Sequence, residues 1–442
     1  MEDLSQDVSE SAISENTNTL LGRQEVVSLL RYINEEYYYW DKVKVLPFPH
    51  GVDPNDIWGI VKLRRTIEPQ ILQFGNYRFH WNINNKLLKL LHVLDMNVSR
   101  SPDSQNRISA EDKKRYLVSS VMEEAIASGQ LAGSATARKK AKEMLRQNKR
   151  PADISDQVIV NTYATIKKII EIKSEPLTKE NLLELHKLII TDTLSTTAKE
   201  STLRGDNEKN ITDISSGDVV HTPPDFRELN DLISALCILF NDQDTGTFIP
   251  PLVKASIIHF MVGFIHPFTD GNGRIARALS YWYLLKKGYL LTEYLSVSRP
   301  MLRAKAQYAK AFQHTEIDDR DLTYFILFNL KILNQSVDEL KTYIQRKNNE
   351  NSGAAAVIGT GGISYRQSLV IQWFQKEPGL LLTIKEMQNK FAISNGSARN
   401  DLHDLHQKGI LQLRQINKVK AGFVKSANFD TMLQMYKNDL QN

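Results

Sequence analysis

The sequence predicts a mostly α-helical protein: a helical bundle with one short extended segment, followed by a small, separate C-terminal module. Three observations predict it. Between residues 151 and 347 apolar residues recur at helical spacing, in segments divided by short breaks. Strand-like alternation is nearly absent there, except at 211–221. The charge is also unevenly divided. Residues 1–360 hold 45 basic and 45 acidic residues, whereas 361–442 hold 11 and 6, so the whole excess of +5 lies in the last fifth of the chain.

A length of 442 residues suits two or three domains, and 41% apolar with 24% charged residues excludes wholesale disorder. The single cysteine, Cys237, excludes an internal disulfide and a cysteine-rich zinc site. The best candidate for a membrane span, 252–265, is interrupted by Lys254 and His259, so no membrane association is expected. The first 20 residues lack Lys and Arg, which argues against a signal or transit peptide and makes a cytoplasmic location the expectation.

Taken in order, residues 1–20 are acidic and Ser-rich and read as a disordered tail. Residues 21–109 are rich in aromatics, among them Tyr37, Tyr38, Tyr39 and Trp40, and read as an N-terminal helical region in which 84–93 has helical spacing. Residues 110–150 form a long helical stretch interrupted at 128–133. The core, 151–347, contains helices near 158–173, 178–190 (capped by Thr178), 224–242, 250–265, 274–287 and 321–346. Residues 348–363 are small, polar and Gly-rich, and read as a linker to a module at 364–442. A dinucleotide turn there is disfavoured, because Ser364 stands in the sixth place of G-x-G-x-x-G and no second βαβ unit follows.

The chemistry concentrates in 257–288, where two apolar helices flank a loop. Pro267 disfavours helical geometry at His266, so the first helix ends at about Ile265 with the imidazole at its exit. Gly271 and Gly273 allow positive φ and can turn their N–H groups inward as an anion-binding nest. The second helix opens with Arg274 and Arg277 on one face, although a helix start is already partly positive and prefers acids. Bound phosphate charge removes that conflict; pairing with surface carboxylates would also remove it. Asp270 suits a Mg²⁺ ion held against phosphates, His266 suits a general base, and Asn272 could donate to a phosphate oxygen. These residues suggest metal-assisted phosphoryl or nucleotidyl transfer, with a structural loop or a passive anion site as alternatives.

The run HPFTDGNGRIAR, His266 to Arg277, resembles the Fic-domain signature H-P-F-x-[D/E]-G-N-G-R-x-x-R at every specified position. The resemblance covers roughly 110–345 and implies an all-α Fic core with a short β flap. It also implies transfer of AMP from ATP to a Ser, Thr or Tyr hydroxyl of a target protein, including this chain itself. By this resemblance His266 is the general base and Asp270 the Mg²⁺ ligand. Gly271, Asn272 and Gly273 line the α/β-phosphate nest, Arg274 holds the β/γ-phosphates and Arg277 reaches the γ-phosphate. Transfer of UMP, phosphocholine or a lone phosphate is the alternative within the fold, and a nucleotide-sensing transcriptional regulator the alternative outside it.

Many Fic proteins carry an inhibitory [S/T]-x-x-x-E-[G/N] helix whose Glu pairs with the last signature arginine. Ser128, Ala132 and Gly133 fit that frame, with Ala132 in place of Glu. A competing frame from Ser119 to Glu123 has the acid, but Glu124 follows it. The first frame is preferred, because Gly133 and the helix after it resemble the inhibitory region; auto-inhibition is then relieved. Asp218, Val219, Val220 and His221 resemble the target-binding flap, with His221 expected to face solvent. Arg204 and Gly205 resemble an ordering arginine turn, and Tyr308 is expected in the core.

The module at 364–442 reads as three helices and two strands around 417–422, an order resembling a winged helix-turn-helix. Its third helix carries Asp401 and Asp404 beside Arg399 and His403, which is poor for approaching phosphate, whereas Arg414, Lys418, Lys420 and Lys425 make a basic wing. DNA binding and a protein-docking or dimer role are both open for this module.

Overall fold

Described in the computed structural model are residues 14–98, 110–193, 202–208, 211–212, 219–243, 248–358, 363–391, 393–415 and 421–438. The chain divides into two units, Met1–Leu340 and Lys341–Asn442.

The first unit begins with α1 (Ser14–Leu21), α2 (Gln24–Glu36), α3 (Trp40–Val43) and α4 (Pro54–Thr66). The expected disordered tail needs correction from Ser14 onward, since 14–21 are helical and Leu20 is buried; residues 1–13 lie outside the described residues. The N-terminal region is also not purely helical. Strands β1 (Gln70–Phe74) and β2 (Tyr77–Trp81) form an antiparallel hairpin in which Phe74 faces Tyr77 across Gly75 and Asn76. Gly75 has φ +56, as such a tight turn requires. The aromatics of this region pack around a buried cation: Arg65 lies 3.8 Å over the Tyr37 ring and donates to the Tyr324 hydroxyl at 2.6 Å.

After α5 (Asn85–Val98) come α6 (Ala110–Leu131), α7 (Arg138–Gln147), α8 (Ile154–Glu171) and α9 (Lys179–Ile190). Thr178 and Asn181 form a capping box at the start of α9. Helix α6 packs closely on α8 because Gly129 has no side chain; a Cβ there would stand 2.8 Å from Ile159 Cγ1. Strands β3 (Ile211–Thr212) and β4 (Val219–His221) pair antiparallel. Then follow α10 (Leu229–Phe240), α11 (Pro251–Ile265), α12 (Asn272–Lys286), α13 (Ser298–Arg303), α14 (Lys305–Ile317) and α15 (Thr323–Ile358). Helix α11 is buried on almost every side, as its all-round apolar sequence dictates, and packs along α12. The stretch expected as a linker, 348–363, is helical up to Ile358: its alanine run favours helix more than its scattered small polar residues oppose it.

The second unit contains α16 (Tyr365–Lys376), α17 (Ile384–Phe391), α18 (Asn395–Gln407), β5 (Leu411–Gln415), β6 (Ala421–Lys425) and α19 (Phe429–Asn438). Leu382 bridges to Phe423, adding one pairing beside the β5–β6 ladder. Val370, Phe374, Met387, Leu402, Leu405 and Phe423 belong to its core. Lys418 and Lys420 lie outside the described residues. Among the described residues, no helix is long and apolar enough to cross a membrane.

Candidate active site

The α11–α12 loop is built by backbone conformations that ordinary helix ends avoid. Helix α11 stops at Ile265, and its cap, His266, turns left-handed at φ 46 and ψ 58, its N–H donating to the Val262 carbonyl at 3.0 Å. The expected helix end is therefore present, with His266 left-handed where the following proline suggested extended backbone. A non-glycine residue in this region stores strain of about 1–3 kcal/mol, so its surroundings must hold it there.

Arg204 does much of the holding. It is 5% exposed. Its Nε donates to the His266 carbonyl at 3.0 Å, its N–H to the Pro267 carbonyl at 2.9 Å, and Nη2 to the Pro224 carbonyl. A second clamp is His186 on α9. Its ring stacks on Phe268 with centroids 3.6 Å apart, and Nε2 donates to the Asp270 carbonyl at 2.9 Å. Burial holds this imidazole below the ordinary histidine range, which suits the neutral donor. His186 was not singled out in the sequence; the only sign was a lone histidine in an apolar helical run.

Asn272 closes the loop on itself. Its Nδ2 donates to the Phe268 carbonyl at 2.7 Å and its Oδ1 accepts from the Phe268 N–H at 2.9 Å. The amide is buried, and these contacts use its oxygen and one of its two Nδ2 hydrogens. Gly271, at φ +86, caps α12, so the first N–H groups of that helix have no intrahelical acceptor and are presented at its start. A Cβ on Gly271 would meet Ile189 Cγ2 at 3.0 Å. Gly271→Val is therefore expected to lower stability by about 3 kcal/mol in urea unfolding.

The two arginines have different surroundings. Arg274 is 3% exposed; Nη1 donates to the Ile189 carbonyl at the end of α9 at 2.8 Å, and Nη2 pairs with Asp270 at 3.0 Å. Asp270 itself remains about half exposed, at 53%. Arg277 reaches α6, where Nε donates to the Ser128 hydroxyl at 2.8 Å and Nη2 to the Ser128 carbonyl at 3.0 Å. Its Nη1 lies 3.4 Å from where a Gly273 Cβ would stand, so this edge of the guanidinium faces the loop.

Ser128, Ala132 and Gly133 thus sit at the end of α6 nearest Arg277. Ala132 is exposed and donates to the Ser128 and Gly129 carbonyls, and Gly133 turns at φ +96. Glu123, the acid of the competing frame, is held by Arg138 and Lys142 of α7, each at 2.8 Å. Glu124 was given no role from the sequence. It is buried, accepts from the Ser298 N–H at 2.8 Å, and is pushed up by burial. Glu124, His259, Arg277, Tyr281 and Thr292 line a pocket of about 40 Å³, room for about three waters.

His259 donates or accepts at the Tyr308 hydroxyl across 2.8 Å, and burial, with the Arg277 charge beside it, pushes its pKa down to about 3. Tyr308 also meets the Phe312 and Phe325 rings. Because the folded state keeps His259 neutral while the unfolded chain protonates near pH 6.5, stability falls as pH drops below about 6.5, by about 1.4 kcal/mol per unit. His259→Gln should make this fall shallower in urea unfolding between pH 6.5 and 5, leaving the share of His186 and His314, which burial also holds low; an unchanged slope would contradict the assignment.

The flap reading is corrected at His221. Its side chain is 9% exposed rather than solvent-facing, with Nε2 donating to the Phe264 carbonyl at 2.9 Å and Nδ1 2.7 Å from Glu316 Oε1. Val219 and Val220 lie in β4, and Asp218 lies outside the described residues. Among the described residues, no cluster of three or more metal-ligating side chains occurs. A single half-exposed carboxylate such as Asp270 still fits Mg²⁺, which keeps several waters and is shared with substrate phosphates.

Comparison with known proteins agrees with this loop. Residues 176–284 match the Fic/DOC family. The protein adenylyltransferase fic-1 of Caenorhabditis elegans is 40% identical over 62 residues, 14% of this chain and 11% of that protein. The protein adenylyltransferase Fic of Nematostella vectensis is 29% identical over 120 residues, 26% of this chain and 25% of that protein. The chain thus spans a quarter or less of the length of these relatives. A crystal structure of a Fic family protein from Desulfovibrio desulfuricans G20 superposes with a TM-score of 0.52 at 18% identity, covering 79% of this chain and 99% of that one. The loop from His266 to Arg277, α11, the clamp from α9 and α12 up to Leu284 all fall within the stretch that matches the Fic/DOC family.

Proposed function

We propose that this chain is a protein adenylyltransferase, moving AMP from ATP to a hydroxyl side chain of a target protein with release of pyrophosphate. The observation that carries the reading is the α11–α12 loop, which sets His266 at a helix exit and, within the next eleven residues, a run of N–H groups at a helix start, a carboxylate and two guanidiniums. His266 takes the proton of the target hydroxyl as its oxygen attacks the α-phosphorus, and the bond to the β-phosphate oxygen breaks, releasing pyrophosphate. The N–H groups at Gly271–Gly273 receive the phosphate oxygens, and Asn272 keeps their backbone in place through Phe268. Asp270 would hold Mg²⁺, which when bound offsets the phosphate charge. Arg274 fixes the Asp270 carboxylate and adds positive charge beside it.

Arg277 would meet the terminal phosphate. Ser128 offers it two neutral acceptors that orient it, and the buried Glu124 acts on it electrostatically across the pocket they both line. With Ala132 in the motif position, α6 supports the arginine and auto-inhibition is relieved. The edge of β4 opposite β3 would bind the target backbone by strand addition. The test is incubation with Mg²⁺ and ATP labelled at the α- or the γ-phosphate, alongside other nucleoside triphosphates. Protein-bound label from α-labelled ATP alone supports the proposal; label from the γ position, or preference for another nucleotide, overturns it.

A further inference from the structure

Arg277 is partly buried, and desolvation is the main influence on its charge, holding its pKa below the ordinary arginine range. Its Nε and Nη2 donate to the Ser128 hydroxyl and carbonyl, which orient it but carry no charge. A cation taken out of water is costly unless a negative charge lies near it. Among the described residues, the carboxylate that bears on Arg277 is that of Glu124. The neighbouring acids are committed elsewhere: Glu123 pairs with Arg138 and Lys142, and Asp270 pairs with Arg274.

Glu124 lies on the same helix as Ser128, one turn earlier. It forms no direct ion pair with the guanidinium; the two line the same pocket of about 40 Å³. A smaller pocket, of about 10 Å³, is lined by Glu124, Ser128, Arg274 and Arg277, so the carboxylate borders both cations of the loop. Three donors fix it from the start of α13. The Ser298 N–H donates at 2.8 Å, the Ser298 hydroxyl donates to the other oxygen, and the Ser296 hydroxyl lies at 3.3 Å. Burial pushes the Glu124 pKa up, and the Ser298 bonds and the Arg277 charge act against that rise. The carboxylate is thus anchored at a set separation from Arg277, with partners that favour its ionised form.

We infer that Glu124 is the counter-charge of Arg277 and thereby limits how tightly the site holds the terminal phosphate of ATP. The inference rests on the reading that Arg277 meets that phosphate. Glu124 is a positioning residue that acts through Arg277. Ser128 sets where the guanidinium points, and Glu124 sets how much of its charge is left for a ligand. At an effective dielectric constant of about 20, two unit charges several Å apart still interact by more than thermal energy, so a phosphate at Arg277 feels the carboxylate behind it. The same charge lets the free protein hold Arg277 without nucleotide, and it weakens retention of pyrophosphate.

The test uses the full chain with Mg²⁺, titrating ATP and, separately, inorganic pyrophosphate by calorimetry. Glu124→Gln keeps the size and removes the charge. It should bind both ligands about 10-fold more tightly, and KM for ATP should fall while kcat changes less. Glu123→Gln, one residue away and tied to α7, should bind as the parent does. Urea unfolding of Glu124→Gln, Arg277→Gln and the double variant checks the pairing: each single variant should lower the midpoint, and the double should lose less than their sum. Should Glu124→Gln fail to fold, the double variant should fold, since it removes both charges. The inference is overturned by unchanged or weaker ATP binding in folded Glu124→Gln, an equal gain in Glu123→Gln, additive losses in urea, or failure of both Glu124→Gln and the double variant to fold. AMP transfer is measured on the same samples: tighter ATP binding without transfer overturns the proposed activity and leaves this inference standing.

Discussion

His266→Ala lowers AMP transfer by about 100- to 10,000-fold, the range lost when a general base is removed, with little change in KM for ATP. The imidazole sits at the exit of α11, its backbone fixed by Arg204 and by its own N–H bond to Val262. Removing the ring leaves those backbone bonds intact, together with the Asn272–Phe268 closure and the N–H groups at Gly271 that would bind phosphate. Steady-state kinetics with a saturating target therefore separates the two effects: kcat should fall and KM should hold. A parallel rise in KM with unchanged kcat would place His266 in nucleotide binding instead. Far-ultraviolet circular dichroism should show the parental helical signal.

Ala132→Glu lowers AMP transfer by about 10- to 100-fold, corresponding to the 1.5–3 kcal/mol of a charge-assisted hydrogen bond. The carboxylate would enter at the end of α6, one turn beyond Ser128, whose hydroxyl and carbonyl already hold Arg277. Arg277 would then face an anion competing with the terminal phosphate. The effect should appear mainly in KM for ATP and weaken with Ala132→Gln, which has similar size and no charge. Equal losses with Glu and Gln would indicate a steric effect, and no loss with Glu would remove α6 from the regulation of this site.

How much of this was legible in the sequence depended on how local each contact is. The loop could be read because Pro267 and Gly271 shape the backbone wherever they stand, and because the two arginines contradict the helix dipole within one turn; Gly273, read as a second turn glycine, is instead helical in α12. What went unread lies between segments distant in the chain. His186 acts on Asp270 from 84 residues away. Glu124 is anchored by Ser298, and His221 is buried because Phe264 and Glu316 close over it. Asn272 was read as a phosphate donor, since its type and place allow that; its closure on the Phe268 backbone was not foreseen. The β1–β2 hairpin was missed although Gly75–Asn76 is a tight-turn pair, because flanking helical periodicity hid two five-residue strands. In the C-terminal unit, Asp401 and Asp404 could be counted but not oriented until α16 was seen to pair with both.

The central claim is that an AMP group leaves ATP and becomes covalently attached to a protein hydroxyl through His266. Its most direct test is mass mapping of the full chain, with a cell extract supplying targets, after incubation with ATP and Mg²⁺. The account predicts AMP adducts on serine, threonine or tyrosine, in the targets or in this chain itself, and none with His266→Ala. Adducts that persist in His266→Ala, or no adduct with any nucleoside triphosphate, would contradict it.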